Sequence, residues 1–139
     1  MVVLTKTVQI KSKGEDDMID ITQETAAFIR EGNTKNGIIT VFVTGSTAAV
    51  TTIEYEPGLR LDFPKMLSRV VPNDIAYEHD NTWHDGNGHS HVRASLVGPS
   101  LTIPFRNCSL MLGTWQQIVI VEMDTQPRQR SIIIQIIGE

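Results

Sequence analysis

The run Gly37-Ile38-Ile39-Thr40-Val41-Phe42-Val43-Thr44 decides the fold. It is apolar at nearly every position, rich in β-branched residues and too short for a helix, as expected of a central strand covered on both faces. On its N-terminal side Val2, Leu4, Val8 and Ile10 share one parity while Thr5, Thr7, Gln9 and Lys11 take the other, the alternation of a half-buried strand. On its C-terminal side a β-branched run from Val50 to Ile53 follows the turn Gly45-Ser46-Thr47, and further strands read over residues 101–105, 110–112, 115–123 and 131–137. Between them, Asp20 with Gln23 three residues later forms a capping box for a helix that buries Ile21, Thr25, Phe28 and Ile29 and ends at a left-handed Gly32. Glu56-Pro57-Gly58 reads as a turn, and Asp62 caps a second short helix with Pro64 in its first turn, Met66, Leu67 and Val70 inward and Pro72 at its end. Residues 73–90 read as a polar loop, and a short helix over residues 91–96 ends at Gly98. The expected fold is α+β: one domain over residues 1–139, a β-rich two-layer sandwich or flattened barrel with a few short helices at an edge or end.

Sixteen acidic residues against twelve basic ones leave a net charge of −4, so no global positive field attracts nucleic acid or anionic lipid. Cys108 is the only cysteine, which excludes an intramolecular disulfide and a CxxC pair and points to a reducing, cytoplasmic setting. The first residues, Met-Val-Val-Leu-Thr-Lys, lack the pattern of an export leader, and no apolar run approaches the ~20 residues that cross a bilayer. Neither a membrane nor a nucleic-acid partner is expected.

All four histidines, His79, His84, His89 and His91, fall between Tyr77 and His91, together with Asp80, Asp85 and Asn87. Imidazole is the commonest neutral metal ligand, and a catalytic site needs about three protein ligands with one position open. The alternative is a polar loop whose histidines meet water or backbone. His89 and His91 share a face in an extended segment and diverge in a helix, so their spacing leaves the choice open. Glu54, after the β-branched run, is either a half-buried ligand or general base or an exposed strand-end carboxylate. Arg128 and Arg130 flank Gln129; in extended chain their guanidinium groups share a face and either clamp a phosphate or face water. Gly45-Ser46-Thr47 offers amide and hydroxyl donors to an anion but lacks the P-loop lysine. Trp115 reads as a core aromatic or a stacking platform, and Cys108 as an inert thiol unless folding brings a histidine beside it.

Taken together, Ser46-Thr47-Ala48, Glu54, Asp62, Val71-Pro72, Tyr77-Glu78-His79-Asp80, Ser90-His91, Leu96-Val97-Gly98, Gly113-Thr114-Trp115-Gln116 and Pro127-Arg128-Gln129-Arg130 resemble the YjbQ-like family, which is associated with secondary thiamine-phosphate synthase activity. The resemblance implies a β-rich sandwich that forms a homotrimer, with a metal site near the subunit contacts. Within it, His79 and His91 match the family's two central histidines and Glu54 its glutamate, while His89 marks a subgroup and is carried as a further metal ligand. Family members commonly have histidine where this chain has Gly45, so His84 or His89 would have to supply that group from the loop. The implied activity is metal-dependent transfer of a pyrimidine diphosphate to a thiazole phosphate, with Glu54 and His84 as catalytic groups and Ser46, Thr47, Arg128 and Arg130 on the phosphorylated substrate. The ligand set favours zinc or another transition metal over magnesium. Two alternatives are metal-assisted hydrolysis of a small phosphorylated or ester substrate and a non-enzymatic trimer that binds metal or ligand.

Overall fold

The computed structural model describes all residues 1–139. In chain order the elements are β1 (Val2–Lys11), β2 (Met18–Asp20), α1 (Thr22–Glu31), β3 (Gly37–Val43), β4 (Ala48–Ile53), α2 (Pro57–Val70), α3 (Glu78–Trp83), α4 (Gly88–Val97), β5 (Ser100–Arg106), β6 (Ser109–Leu110), β7 (Gln117–Glu122) and β8 (Gln129–Gly138). Five strands form one sheet in the order β1-β8-β3-β5-β6, and three form a second in the order β2-β7-β4, with antiparallel pairing throughout. No helix is long and apolar enough to cross a membrane.

The α+β sandwich expected from the strand pattern is present, and β3 lies in the middle of the large sheet as its apolar run predicts. Ile39, Val41 and Val43 of β3 share the inner face of the large sheet with Ile136, Ile134 and Ile132 of β8 and form one core with Ala48 and Val50 of β4, Ile118 and Ile120 of β7, and Phe28 and Ile29 of α1. The opposite face of β3 is less covered than its sequence suggests: Ile38 is 41 % and Phe42 39 % exposed. The strand buried on both faces is β7, whose Val119 and Val121 turn away from the sandwich core into a second cluster with Met18, Ala49, Leu67 of α2 and Ala94 of α4. The small sheet is thus a middle layer, with the large sheet on one side and α2 and α4 on the other.

Helix boundaries depart from the sequence reading for identifiable reasons. Asp20 ends β2 and bonds Thr22 through both the amide (2.9 Å) and the hydroxyl (2.6 Å), so no capping box forms with Gln23. Gly32 is right-handed and packs closely, since a Cβ there would stand 2.6 Å from Leu4 Cδ1 and 3.3 Å from the Phe28 carbonyl oxygen, and Asn33 takes the positive φ instead. Helix α2 starts at Pro57, with Glu56 accepting from the Gly58 and Leu59 amides at 2.8 and 2.6 Å, so Glu56 rather than Asp62 is the cap and Pro64 lies inside the helix. The polar segment over residues 73–90 contains α3 and the start of α4, which begins at Gly88 rather than at His91.

Ile120 is fully buried between the sheets, so Ile120→Ala is expected to lower unfolding free energy by roughly 2–5 kcal/mol in denaturant titration, without loss of secondary structure in the folded state.

Candidate functional site

At one end of the sandwich the turn after β3, the end of β7, the start of β8 and the first turn of α4 enclose an open cleft of about 320 Å³. Its walls are polar: Ser46 and Thr47 from the turn, Asp124 and Arg128 from the β7–β8 connection, Arg130 from β8, Asn87 at the N-cap of α4 and His91 within it. A recess of about 190 Å³ continues past His91 toward Ala94, Ser95 and Pro99. Gly45, at φ +120°, lets the chain turn from β3 into β4 without a side chain in this space.

A buried ion pair builds the back wall. Arg130 donates through Nε (2.9 Å) and Nη2 to the two oxygens of Glu122, and through Nη2 to Thr47 Oγ1 at 2.7 Å. Glu122 has no solvent exposure, and it also accepts from the Ser12 hydroxyl (2.6 Å) and the Asp124 amide (3.1 Å). Asp124, 2 % exposed, accepts from the Thr47 hydroxyl (3.0 Å), Arg128 Nε (2.9 Å) and the Thr125 amide (2.8 Å). Burial alone would raise the Asp124 pKa, but the Thr47 hydrogen bond, the Arg128 charge and the Thr125 amide outweigh it and hold the carboxyl below its ordinary value. Arg128 and Arg130 both line the cleft, but Arg130 has no two-pronged fork left for a ligand because Glu122 occupies it. Neither Glu122 nor Asp124 was picked out by the sequence reading; the available signal was a glutamate on the apolar run of β7, followed within eight residues by two arginines.

The histidines separate into three environments. His79 of α3 and His91 of α4 converge, their ring centroids 4.3 Å apart and tilted by 54°. Asp80 accepts the Gly88 amide at 2.9 Å at the start of α4, and Gly88 lets that turn approach Tyr77, since a Cβ would lie 2.5 Å from Tyr77 Cβ. The buried Asn87 amide lies 3.0 Å from His79 Nε2; with its nitrogen on that side it also donates to Asp85 at 2.9 and 3.2 Å, which makes Nε2 an acceptor. His89 belongs elsewhere. Two residues apart on a helix point to different sides, and His89 is buried against Glu15, which Arg93 Nη1 also approaches at 3.4 Å. Beside them Asp16 has a raised pKa, from burial first and the Glu15 charge second, against the opposing charges of Arg93 and His89. His84 is the exposed left-handed residue that ends α3, outside the cleft. Glu54, exposed past the far end of β4, lines a different cavity with Trp115, itself exposed rather than in the core, roughly 20 Å along the strand from Thr47.

These placements correct the expected ligand set. His89, His84 and Glu54 do not join His79 and His91, and no three His, Cys, Asp or Glu side chains converge as a metal ion requires. Asp85 is the nearest further carboxylate, 3.5 Å from His79 Nε2, a nitrogen already engaged by Asn87. The residues of this chain therefore do not fit a resident divalent metal.

Two outcomes follow for the back wall. Glu122→Gln leaves Arg130 buried without its counter-charge and is expected to cost roughly 3–5 kcal/mol in denaturant titration. For Asp124, the folded pKa lies below the unfolded one, so its stabilising contribution is complete above the ordinary value of 3.8 and is lost as pH falls through the folded value. Asp124→Asn is accordingly expected to be less stable than wild type at neutral pH, with the gap closing below about pH 4 in unfolding curves taken across the acid range.

Residues 6–139 match the model of a family described as UPF0047 protein YjbQ-like. A UPF0047 protein of Methanothermobacter thermautotrophicus is 37% identical over 139 residues, covering 100% of this chain and 95% of that one. The UPF0047 protein YugU of Bacillus subtilis is 36% identical over 137 residues, covering 97% and 100%. A YbjQ-like protein of unknown function from Sulfolobus solfataricus superposes with a TM-score of 0.88 at 31% identity, over 99% of this chain and 100% of that one. A hypothetical protein from Aeropyrum pernix superposes with a TM-score of 0.89 at 31% identity, over 98% and 99%. With sequence and fold in agreement over the whole length, the chain belongs to the YjbQ-like UPF0047 family.

Proposed function

We propose that the protein is a small-molecule enzyme that binds a phosphorylated substrate in the cleft and moves a proton through His91. The observation that carries this reading is that His91 lines the same cleft as Arg128 and Arg130. Imidazole exchanges protons near neutral pH, guanidinium N–H groups bind phosphate oxygens, and the two together suit acid–base chemistry on a phosphorylated molecule. His79, packed on the His91 ring, limits where that ring can sit. The specific form suggested by the family resemblance is transfer of a pyrimidine diphosphate to a thiazole phosphate; the cationic groups beside the Ser46-Thr47 turn support it. The openness of the cleft to water also supports a hydrolytic form with a small phosphate ester. A zinc-type ion on His79 and His91 would need further donors from outside the protomer, and elemental analysis of purified protein tests for it.

Self-association as a trimer is part of the same proposal. On the outer face of the large sheet Val3, Ile38, Phe42 and Ile137 are exposed in adjacent register with Thr5, Thr40 and Gln135, with no charged residue among them. Exposed apolar side chains grouped on an uncharged sheet face favour a covering layer. Phe42→Asp is expected to shift the mass measured by analytical ultracentrifugation to that of a monomer, and an unchanged mass would place the contact elsewhere.

For the chemistry, the purified protein is assayed for both transfer and phosphate release. His91→Ala is expected to lower turnover by about 10²–10⁴-fold, whereas His84→Ala, exposed and outside the cleft, leaves it unchanged. Equal activity of His91→Ala and wild type would remove His91 from the mechanism.

A further inference from the structure

We propose that Gly45 opens the cleft to an oxyanion: with no side chain at this position, Nη1 of Arg130 faces the cleft and holds a terminal phosphate. The inference rests on the phosphorylated-ligand reading and adds to it the atom that receives the phosphate and the residue that admits it. Of the three guanidinium nitrogens, Nε and Nη2 are committed to Glu122 and Thr47, while Nη1 has no partner in the protein. The Arg130 side chain is only 8 % exposed, yet it lines the cleft, so a charged donor without a protein partner is held there. Gly45 lines the cleft beside it. A Cβ on Gly45 would stand 2.8 Å from Nη1 and meet nothing else closer than Cζ of the same arginine at 3.9 Å. Arg130 cannot swing aside to relieve such a contact, because its fork is bound to a carboxylate that is itself fixed by Ser12 and the Asp124 amide.

Other donors surround the same point. Arg128 is tied to Asp124 through Nε alone and is half exposed, which leaves its two terminal nitrogens for a ligand. Ser46 is exposed on the turn, and His91 borders the same space. Both carboxylates at the back are saturated by donors, Glu122 by Arg130, Ser12 and an amide, and Asp124 by Thr47, Arg128 and an amide, so they present little free acceptor surface to an incoming anion. Donors from separate directions fit a tetrahedral oxyanion at the end of a small molecule, and a cleft of about 320 Å³ leaves room for an organic group behind it.

The experiment uses inorganic phosphate as probe, with binding to the full chain followed by calorimetry. Gly45→Ala is expected to weaken phosphate binding roughly 10- to 100-fold, the effect of losing one hydrogen bond between charged groups. Gly98→Ala is the matched control: φ there is +102°, so the backbone strain is similar, but nothing lies within 4 Å of the added Cβ, and affinity should stay at the wild-type value. Should Gly45→Ala fail to fold, nitrogen-detected NMR of the wild-type arginines decides the matter; on adding phosphate the Arg130 Nη signal should move while Nε, held by Glu122, stays in place. Wild-type affinity in Gly45→Ala, equal loss in Gly98→Ala, or a stationary Arg130 Nη signal in a protein that does bind phosphate overturns the role of Gly45 and leaves the phosphorylated-ligand reading standing. If the wild-type protein binds no phosphate, both fall.

Discussion

The buried pairing of Glu122 with Arg130 is the constraint on which the functional end of the molecule depends. Glu122 ends β7 in the small sheet and Arg130 lies opposite Ile10 near the start of β8 in the large one, so the ion pair joins the two layers of the sandwich where the cleft opens. Ser12, just after β1, bonds both Glu122 and the Arg128 amide and brings the N-terminal strand into the same junction. A buried ion pair is a poor source of net stability, because removing both charges from water offsets most of their attraction. What this one provides is position. It fixes which guanidinium nitrogens are used up and which one remains.

The rest of the site follows from how α4 is laid across the small sheet. Ala94 packs into the cluster formed by Ala49, Val119 and Val121, and this contact sets the rotation of the helix. With that rotation His91 reaches the cleft, while His89 turns under the helix to Glu15 and Arg93. Two histidines that sit together in sequence are thereby divided between a solvent-facing cleft and a buried charge cluster. The loop carrying Glu15 starts from Ser12, so the segment between β1 and β2 touches the ion pair at one end and the helix at the other.

Much of the fold was legible in the sequence because strands declare themselves through parity. β1, β3, β5 and β8 were each visible as alternating or continuous β-branched runs, and their order in space agrees with a sandwich. Coverage of each face was not legible. The runs of β3 and β7 look alike, and only the packing of α2 and α4 decides that β7 is the one buried twice. Helix starts were missed where the deciding group was ambiguous: Glu56 is an acid before a proline, which reads equally as turn or cap. In the site, Arg128, Arg130, Ser46, Thr47 and His91 were identified and do come together, since each lies at the end of an element pointing to one end of the sandwich. Glu54 was misplaced because a strand of six residues separates it from that end, a distance that a pattern of residue types does not convey.

A crystal structure of the protein soaked with a small phosphomonoester tests the central claim most directly. The account predicts the phosphate group against Nη1 of Arg130, with Arg128 and His91 beside it and the pairing of Arg130 with Glu122 intact. A phosphate bound at the other end of β4 beside Trp115, or an Arg130 released from Glu122 to reach it, would contradict the account.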